Sequence, residues 1–150
     1  MSRYDWKRLT ALQVGRYAEY FVKMEFTLYG FDVYQAEVDD KGIDFVIRKE
    51  PDSYYDIQVK SVRSSKYIFF LKDHFMPREK LYAAIVLFNP DEPPKLFLVP
   101  STVWLNPNTL FVSRNYEPPR KSKPEWGISL SSKSDPLLLG YTFEKVVATL

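Results

Sequence analysis

"GIDFVIRKEPDSYYDIQVKS", residues 42–61, is the stretch on which the fold turns. It reads as two strands, "GIDFVIR" (42–48) and "YYDIQVKSV" (54–62), with Pro, Asp and Ser between them as turn residues. Side chains on a strand alternate between faces. Ile43, Phe45 and Ile47 therefore share one side of the first strand, and Asp44, Val46 and Arg48 the other. On the second, Ile57 and Val59 oppose Asp56, Gln58, Lys60 and Val62. If both apolar sets meet the same layer, Asp44 shares a face with Gln58 and Lys60. Opposed residues of an antiparallel pair have a constant index sum, and Asp44 facing either Gln58 or Lys60 makes that sum even. A bulge-free hairpin then needs a loop of odd length, centred on Pro51 or Asp52. Facing Cβ atoms lie about 5 Å apart, within reach of one shared cation.

Hard divalent cations such as Mg²⁺ or Mn²⁺ take oxygen ligands. The Asp44 carboxylate and the Gln58 side-chain carbonyl supply two, and the Val59 backbone carbonyl is a third candidate. Lys60 then stands beside the site as an ammonium, where unit charges about 4 Å apart interact by about 4 kcal/mol at an effective dielectric near ~20. The plainer alternative is an ion pair on the solvated side of a hairpin. Against it stands the alternation of three polar residues with Ile and Val, with a helix at hand to cover them.

That helix precedes the strands. Thr10 and Gln13 have capping-box spacing, and the pattern runs to about Tyr29 before Gly30 stops it. Its expected apolar stripe is Val14, Tyr17, Ala18, Phe21, Met24 and Leu28. Two acids interrupt apolar rows. Glu19 lies in the row Leu12, Gly15, Val22, Phe26; Glu25 lies near the end, where a long side chain reaches water. Glu19 is the favoured further ligand, because an acid kept from water needs a cation or a hydrogen-bond partner. Gly15, one turn earlier, is expected to let the helix approach a sheet or ligand closely.

Further strands are expected at 32–38, 66–72, 82–88 and 95–99, the third of these a continuous apolar run buried on both faces. Helical turns are expected at 77–81 and, from a Ser or Thr cap, just after Pro100. A closing helix is expected at 141–150. The order of elements implies an α/β (α+β) fold around a mixed sheet flanked by helices, with the N-terminal helix preceding a three-strand meander. One domain over 1–150 is expected, its core at about 10–105, with 106–150 a C-terminal extension whose elements are illegible before the last helix.

Composition excludes several classes. There is no cysteine and only one histidine, His74, so thiolate sites and multi-His zinc centres are out. No apolar run reaches the length of a membrane span, and a cytoplasmic protein is expected. A net charge of +2 does not announce nucleic acid by itself. The Pro- and Ser-rich stretch "SRNYEPPRKSKPEW" concentrates Arg114, Arg120, Lys121 and Lys123, either as a solvated loop or as a segment that follows phosphates. Ser61, Arg63, Ser64 and Lys66, after the Lys60 strand, are further candidates for backbone-phosphate contacts.

At these residues the sequence resembles the PD-(D/E)xK nuclease superfamily, in particular its branch resembling archaeal Holliday-junction resolvases. The Gly-x-x-x-Glu helix is matched by "GRYAE" (Gly15 to Glu19), the strand aspartate by Asp44 in "GIDFVI", and the acid-x-Lys strand by "QVKS" from Gln58. The likeness covers about residues 10–88. It departs at Ile43, where the family's Pro stands, and at Gln58, where most members carry an acid. Homing endonucleases resemble this Gln variant. The resemblance implies a restriction-endonuclease-like core, with Glu19, Asp44, Gln58 and Lys60 as catalytic residues. It also implies Mg²⁺- or Mn²⁺-dependent hydrolysis of DNA phosphodiesters by a homodimer with one metal site per subunit. RNA as substrate, and a scaffold that binds DNA or protein without turnover, stay open.

Overall fold

The computed structural model describes residues 2–38 and 42–150. Its first long element is helix α1 (Ala11–Leu28), opened by a complete capping box. The Gln13 amide N–H donates to Thr10 Oγ1 (3.2 Å), and the Thr10 N–H to Gln13 Oε1 (2.8 Å). The chain leaves α1 through Gly30 at φ +90°, a conformation glycine adopts without strain.

Three strands follow as an antiparallel meander: β1 (Asp32–Gln35), β2 (Phe45–Arg48) and β3 (Tyr54–Val62). The β2–β3 register pairs Phe45 with Ile57 and Arg48 with Tyr54, leaving the odd-length loop 49–53 centred on Pro51. The paired register ends at Phe45, and Asp44 just before it donates its N–H to the Ile57 carbonyl (2.9 Å). After β4 (Tyr67–Leu71), β5 (Leu81–Leu87) lies parallel to β3, and β6 (Lys95–Pro100) returns antiparallel beside β5. The five-stranded sheet has the order β1-β2-β3-β5-β6, which makes it mixed. β5 is buried on both faces, as its apolar run requires.

A second sheet, ordered β4-β8-β7, takes up β4 together with β7 (Phe111–Arg114) and β8 (Glu125–Ser129). The short helices α2 (Asp135–Leu138) and α3 (Phe143–Val147) follow. The layers run helices, five-stranded sheet, three-stranded sheet, with one apolar interior on each side of the main sheet. Val14, Ala18, Val22 and Phe26 of α1 and Phe143, Val146 and Val147 of α3 meet Phe45, Ile47, Ile57, Ala84 and Val86. Ala83, Ile85, Phe97 and Val99 meet Ile68, Phe70, Phe111, Ile128 and Trp104 on the other side. No helix among the described residues is long and apolar enough to cross a membrane.

Several expectations change in detail. Of the expected α1 stripe only Val14 and Ala18 are buried, while Met24 and Leu28 are 64% and 78% exposed. The buried row runs instead through Val22 and Phe26, because aromatic partners Phe31, Phe45 and Phe143 lie on that side. A Cβ at Gly15 would meet nothing within 4 Å, so close packing is not why glycine stands there. The helical turn expected at 77–81 occurs earlier, as a 3-10 turn at Lys72–His74. The 3-10 turn Ser101–Leu105 has no side-chain cap; the buried Ser101 hydroxyl instead accepts from the Arg78 N–H (2.9 Å) and donates to its carbonyl (2.8 Å). The closing helix is the short α3, shorter than the span expected.

Candidate functional site

The backbone of β3 alternates between its two neighbours. The Asp56 N–H reaches Lys80 O (2.7 Å) on the β5 side, whereas Ile57 O accepts from the Asp44 N–H (2.9 Å) on the β2 side. The Val59 N–H continues on the β2 side, but β2 itself begins only at Phe45. The Asp44 side chain takes over there, its Oδ2 accepting from the Val59 N–H at 2.7 Å. Alternation puts the Val59 carbonyl on that same edge. Gly42 fixes the approach to Asp44: its φ is +74°, and a Cβ there would come within 2.4 Å of the His74 carbonyl oxygen. His74 is therefore a neighbour of the loop that carries Asp44, and its side chain is exposed.

Gln58 and Lys60 pair in register with Ala83 and Ile85, which face the second sheet. Their side of the main sheet is thus the side away from α1. The cover expected from a helix is supplied by β4, since the Lys60 ammonium stands 5.5 Å from the centre of the Phe70 ring. Burial lowers the Lys60 pKa from its usual value, and the Asp44 carboxylate opposes that shift. Gln58 Oε1 is buried and has no hydrogen-bond partner among the described residues. A buried carbonyl left in that state costs about 1–3 kcal/mol, so a folded chain retains one where something else uses it.

Asp56, two residues up the strand, is paired with Arg78. Glu19 lies on the flank of α1, its carboxylate 3.7 Å from Arg16 and partly exposed. One turn further on, the Lys23 ammonium lies 5.6 Å from the ring centre of Phe45 and bonds to Gln35. The flank that carries Glu19 therefore passes the start of β2, on the opposite face of the sheet from Gln58 and Lys60. Among the described residues no three Asp, Glu, His or Cys side chains converge as a metal cluster.

The residues proposed for phosphate contact are dispersed. Ser61 pairs with Val86 and shares the α1 face. Arg63 donates to the carbonyls of Trp6 (2.6 Å) and Leu9 (2.7 Å), fastening the end of β3 to the segment before α1. Arg63 and Lys66 also line a cleft of about 1120 Å³ beside Lys95, Asp135 and Glu144, and that cleft does not include Asp44, Gln58 or Lys60. Arg120, Lys121 and Lys123 are exposed in the loop joining β7 to β8. Sequence reasoning placed Arg48 on the Asp44 face without giving it a role. It stands between two tyrosines, donating to Tyr54 OH (3.1 Å) and Tyr34 OH (2.6 Å). The signal was legible in the alternation itself, because Arg48 and Tyr54 are paired by the same register.

No protein-family model and no curated protein matches the sequence. Solved structures do match in shape. A Holliday junction resolvase from the archaeal hyperthermophile Archaeoglobus fulgidus superposes with a TM-score of 0.52 at 14% identity, over 86% of this chain and 98% of that one. A bacterial homing endonuclease superposes with a TM-score of 0.54, also at 14% identity, over 93% of this chain and 90% of that one. The chain has the restriction-endonuclease-like fold of these nucleases, with its mixed central sheet flanked by helices.

Proposed function

We propose that the protein is a metal-dependent endonuclease that hydrolyses DNA phosphodiester bonds, with one divalent-metal site per subunit. The observation that carries the reading is the buried Gln58 Oε1, without a hydrogen-bond partner among the described residues, on the sheet face it shares with Lys60 and close to Asp44. A carboxylate, an amide carbonyl and a backbone carbonyl make an all-oxygen donor set, which fits Mg²⁺ or Mn²⁺. Asp44, Gln58 and the Val59 carbonyl would hold the ion. Glu19, on the α1 face beside the start of β2, is the further ligand this reading proposes. A bound ion supplies Lewis-acid polarisation of the phosphoryl oxygen and lowers the pKa of water.

The chain's own groups do the rest. The Val59 N–H fixes the Asp44 carboxylate, and Phe70 shields the Lys60 amine from bulk water. Shielding strengthens the field of Lys60 on charge that builds at phosphorus. It also eases loss of the Lys60 proton, so the same group can take a proton from an attacking water. A dimer, which places one site on each strand of a duplex, belongs to this reading. So does a single domain spanning the chain.

The test is cleavage of supercoiled, linear and branched DNA with Mg²⁺ or Mn²⁺ by the purified protein and by Asp44→Ala and Lys60→Ala. Both substitutions are expected to abolish a metal-dependent activity, and cleavage that survives both overturns the assignment. One feature favours a second reading, a nuclease-fold scaffold that binds DNA or protein without turnover: the site has Gln58 where an acid would add a negative charge. Calorimetric titration with Mn²⁺ separates the two, since a scaffold has no use for an ion at Asp44.

A further inference from the structure

The outer face of the three-stranded sheet carries a second group of residues that the proposed hydrolysis does not use. Cross-strand pairing sets Phe69 opposite Gly127 and Leu71 opposite Glu125, with Arg114 opposite Glu125 from the other side. Gly127 has no side chain, and the Tyr67 ring occupies the space: a Cβ at Gly127 would lie 2.1 Å from the Tyr67 hydroxyl oxygen. The ring is pinned. Tyr67 OH donates to Glu125 Oε2 at 2.6 Å, and Tyr116 OH donates to Oε1 of the same buried carboxylate at 2.9 Å. The Arg114 guanidinium lies 4.2 Å from the Tyr67 ring centre. Beside it, in a near-parallel plane with ring centres 6.3 Å apart, stands Phe69, which is 47% exposed.

An exposed Phe beside a fixed Tyr is costly surface for a sheet that could present polar residues. Its charged surroundings have one dominant sign. Arg114 closes the platform at the end of β7, and the loop that leaves from there carries exposed Arg120, Lys121 and Lys123, with Glu117 the opposing charge. Lys66 is exposed immediately before Tyr67. Flat, rigid rings next to a basic segment match a polymer of aromatic bases joined by phosphates, whose bases stack on rings only when unpaired.

We infer that this face binds unpaired DNA, with bases stacking on Phe69 and Tyr67 and the backbone following Arg114 and the loop of Arg120, Lys121 and Lys123. The choice of DNA over RNA rests on the proposed nuclease reading; the stacking surface does not. A flap, a gap or a single-stranded overhang offers such unpaired bases, so this face would hold a substrate's loose strand away from the hydrolytic site.

The test is fluorescence anisotropy with a labelled single-stranded DNA oligonucleotide in EDTA, against duplex DNA and single-stranded RNA of the same sequence. The protein is compared with Phe69→Ala, Phe69→Leu, Phe69→Tyr and the triple variant Arg120→Ala/Lys121→Ala/Lys123→Ala. Loss of one stacked base is expected to weaken single-strand binding about 5- to 150-fold in both Phe69→Ala and Phe69→Leu. Phe69→Tyr should bind as the parent does, and the triple variant should show a shallower dependence on salt. Leucine keeps an apolar side chain at position 69 without a ring, so full binding by Phe69→Leu would mean that Phe69 serves only sheet packing and would overturn the proposal. Equal affinity for duplex, or no single-strand binding at all, would overturn it as well. Tighter binding of RNA than of DNA would overturn the choice of strand. Because EDTA removes divalent ions, this result is independent of cleavage: the platform can fail while the nuclease reading holds, and the reverse.

Discussion

Two polar side chains are sunk against the three-stranded sheet, and the chain treats them in opposite ways. Glu125 lies on the sheet's outer face, buried, with a tyrosine hydroxyl on each carboxylate oxygen. Gln58 lies on the inner side, beneath the same sheet, and its buried Oε1 has no hydrogen-bond partner among the described residues. A buried acid that is fully hydrogen-bonded holds its neighbours in place and adds to stability. A buried carbonyl without a partner subtracts from it. The first arrangement is what folding selects; the second points to a group kept for something the fold alone does not need.

The contrast can be broken in order of expected effect. The largest changes belong to Asp44→Ala and Lys60→Ala, each expected to lower metal-dependent DNA cleavage by about 100-fold or more; Asp44→Ala also strands the Val59 N–H and should cost about 1 kcal/mol in urea unfolding. Removing Glu125 should act the other way round. Glu125→Ala strands the Tyr67 and Tyr116 hydroxyls and is expected to cost about 2 kcal/mol in urea unfolding. Gln58→Leu should leave stability unchanged or raise it by about 1 kcal/mol, because it deletes an unsatisfied atom. A Gln58→Leu protein as destabilised as Glu125→Ala would end the contrast.

Two glycines sharpen it further. Gly42→Ala meets both a positive φ and the His74 carbonyl, and should cost about 1–3 kcal/mol. Gly15→Ala has open space and should gain about 0.5–1 kcal/mol of helix stability. If Gly15→Ala nonetheless loses DNA cleavage, the space above Gly15 is where the substrate lies.

The smallest effect is a pH dependence. Burial depresses the Lys60 pKa in the folded state below the unfolded value, so between those two pKa values the unfolded chain binds the extra proton. Stability of the parent should therefore rise with pH across that window, relative to Lys60→Met, and be lowest below it. Urea midpoints of the two proteins, followed from neutral pH up to the ordinary lysine range, measure this. Parallel curves would contradict it.

How much was legible in the sequence follows from what each signal depends on. The β2–β3 register, with its odd-length loop centred on Pro51, could be read from residue parity, because one slip would turn Ile57 and Phe45 out of the core. Thr10 and Gln13 announced the start of α1 through a local bond pair. The rotation of α1 was not legible: several apolar rows compete on its surface, and only the position of Phe31, Phe45 and Phe143 decides among them. The second sheet escaped for a similar reason. β7 and β8 are separated by a proline-rich loop, and the pairing of β8 with β4 spans more than fifty residues, so no local pattern ties them together. That omission also hid Phe70, and with it the true cover over Lys60. The unpartnered state of Gln58 Oε1 depends on everything packed around it and has no signature in the letters.

The central claim is that Gln58 Oε1 and the Asp44 carboxylate share a divalent cation beside Lys60. Anomalous scattering from crystals grown with Mn²⁺ tests it most directly. The account predicts a single strong peak at about 2.0–2.6 Å from both Asp44 and Gln58 Oε1. Manganese bound elsewhere, with the Gln58 carbonyl accepting a hydrogen bond from the protein instead, would contradict it.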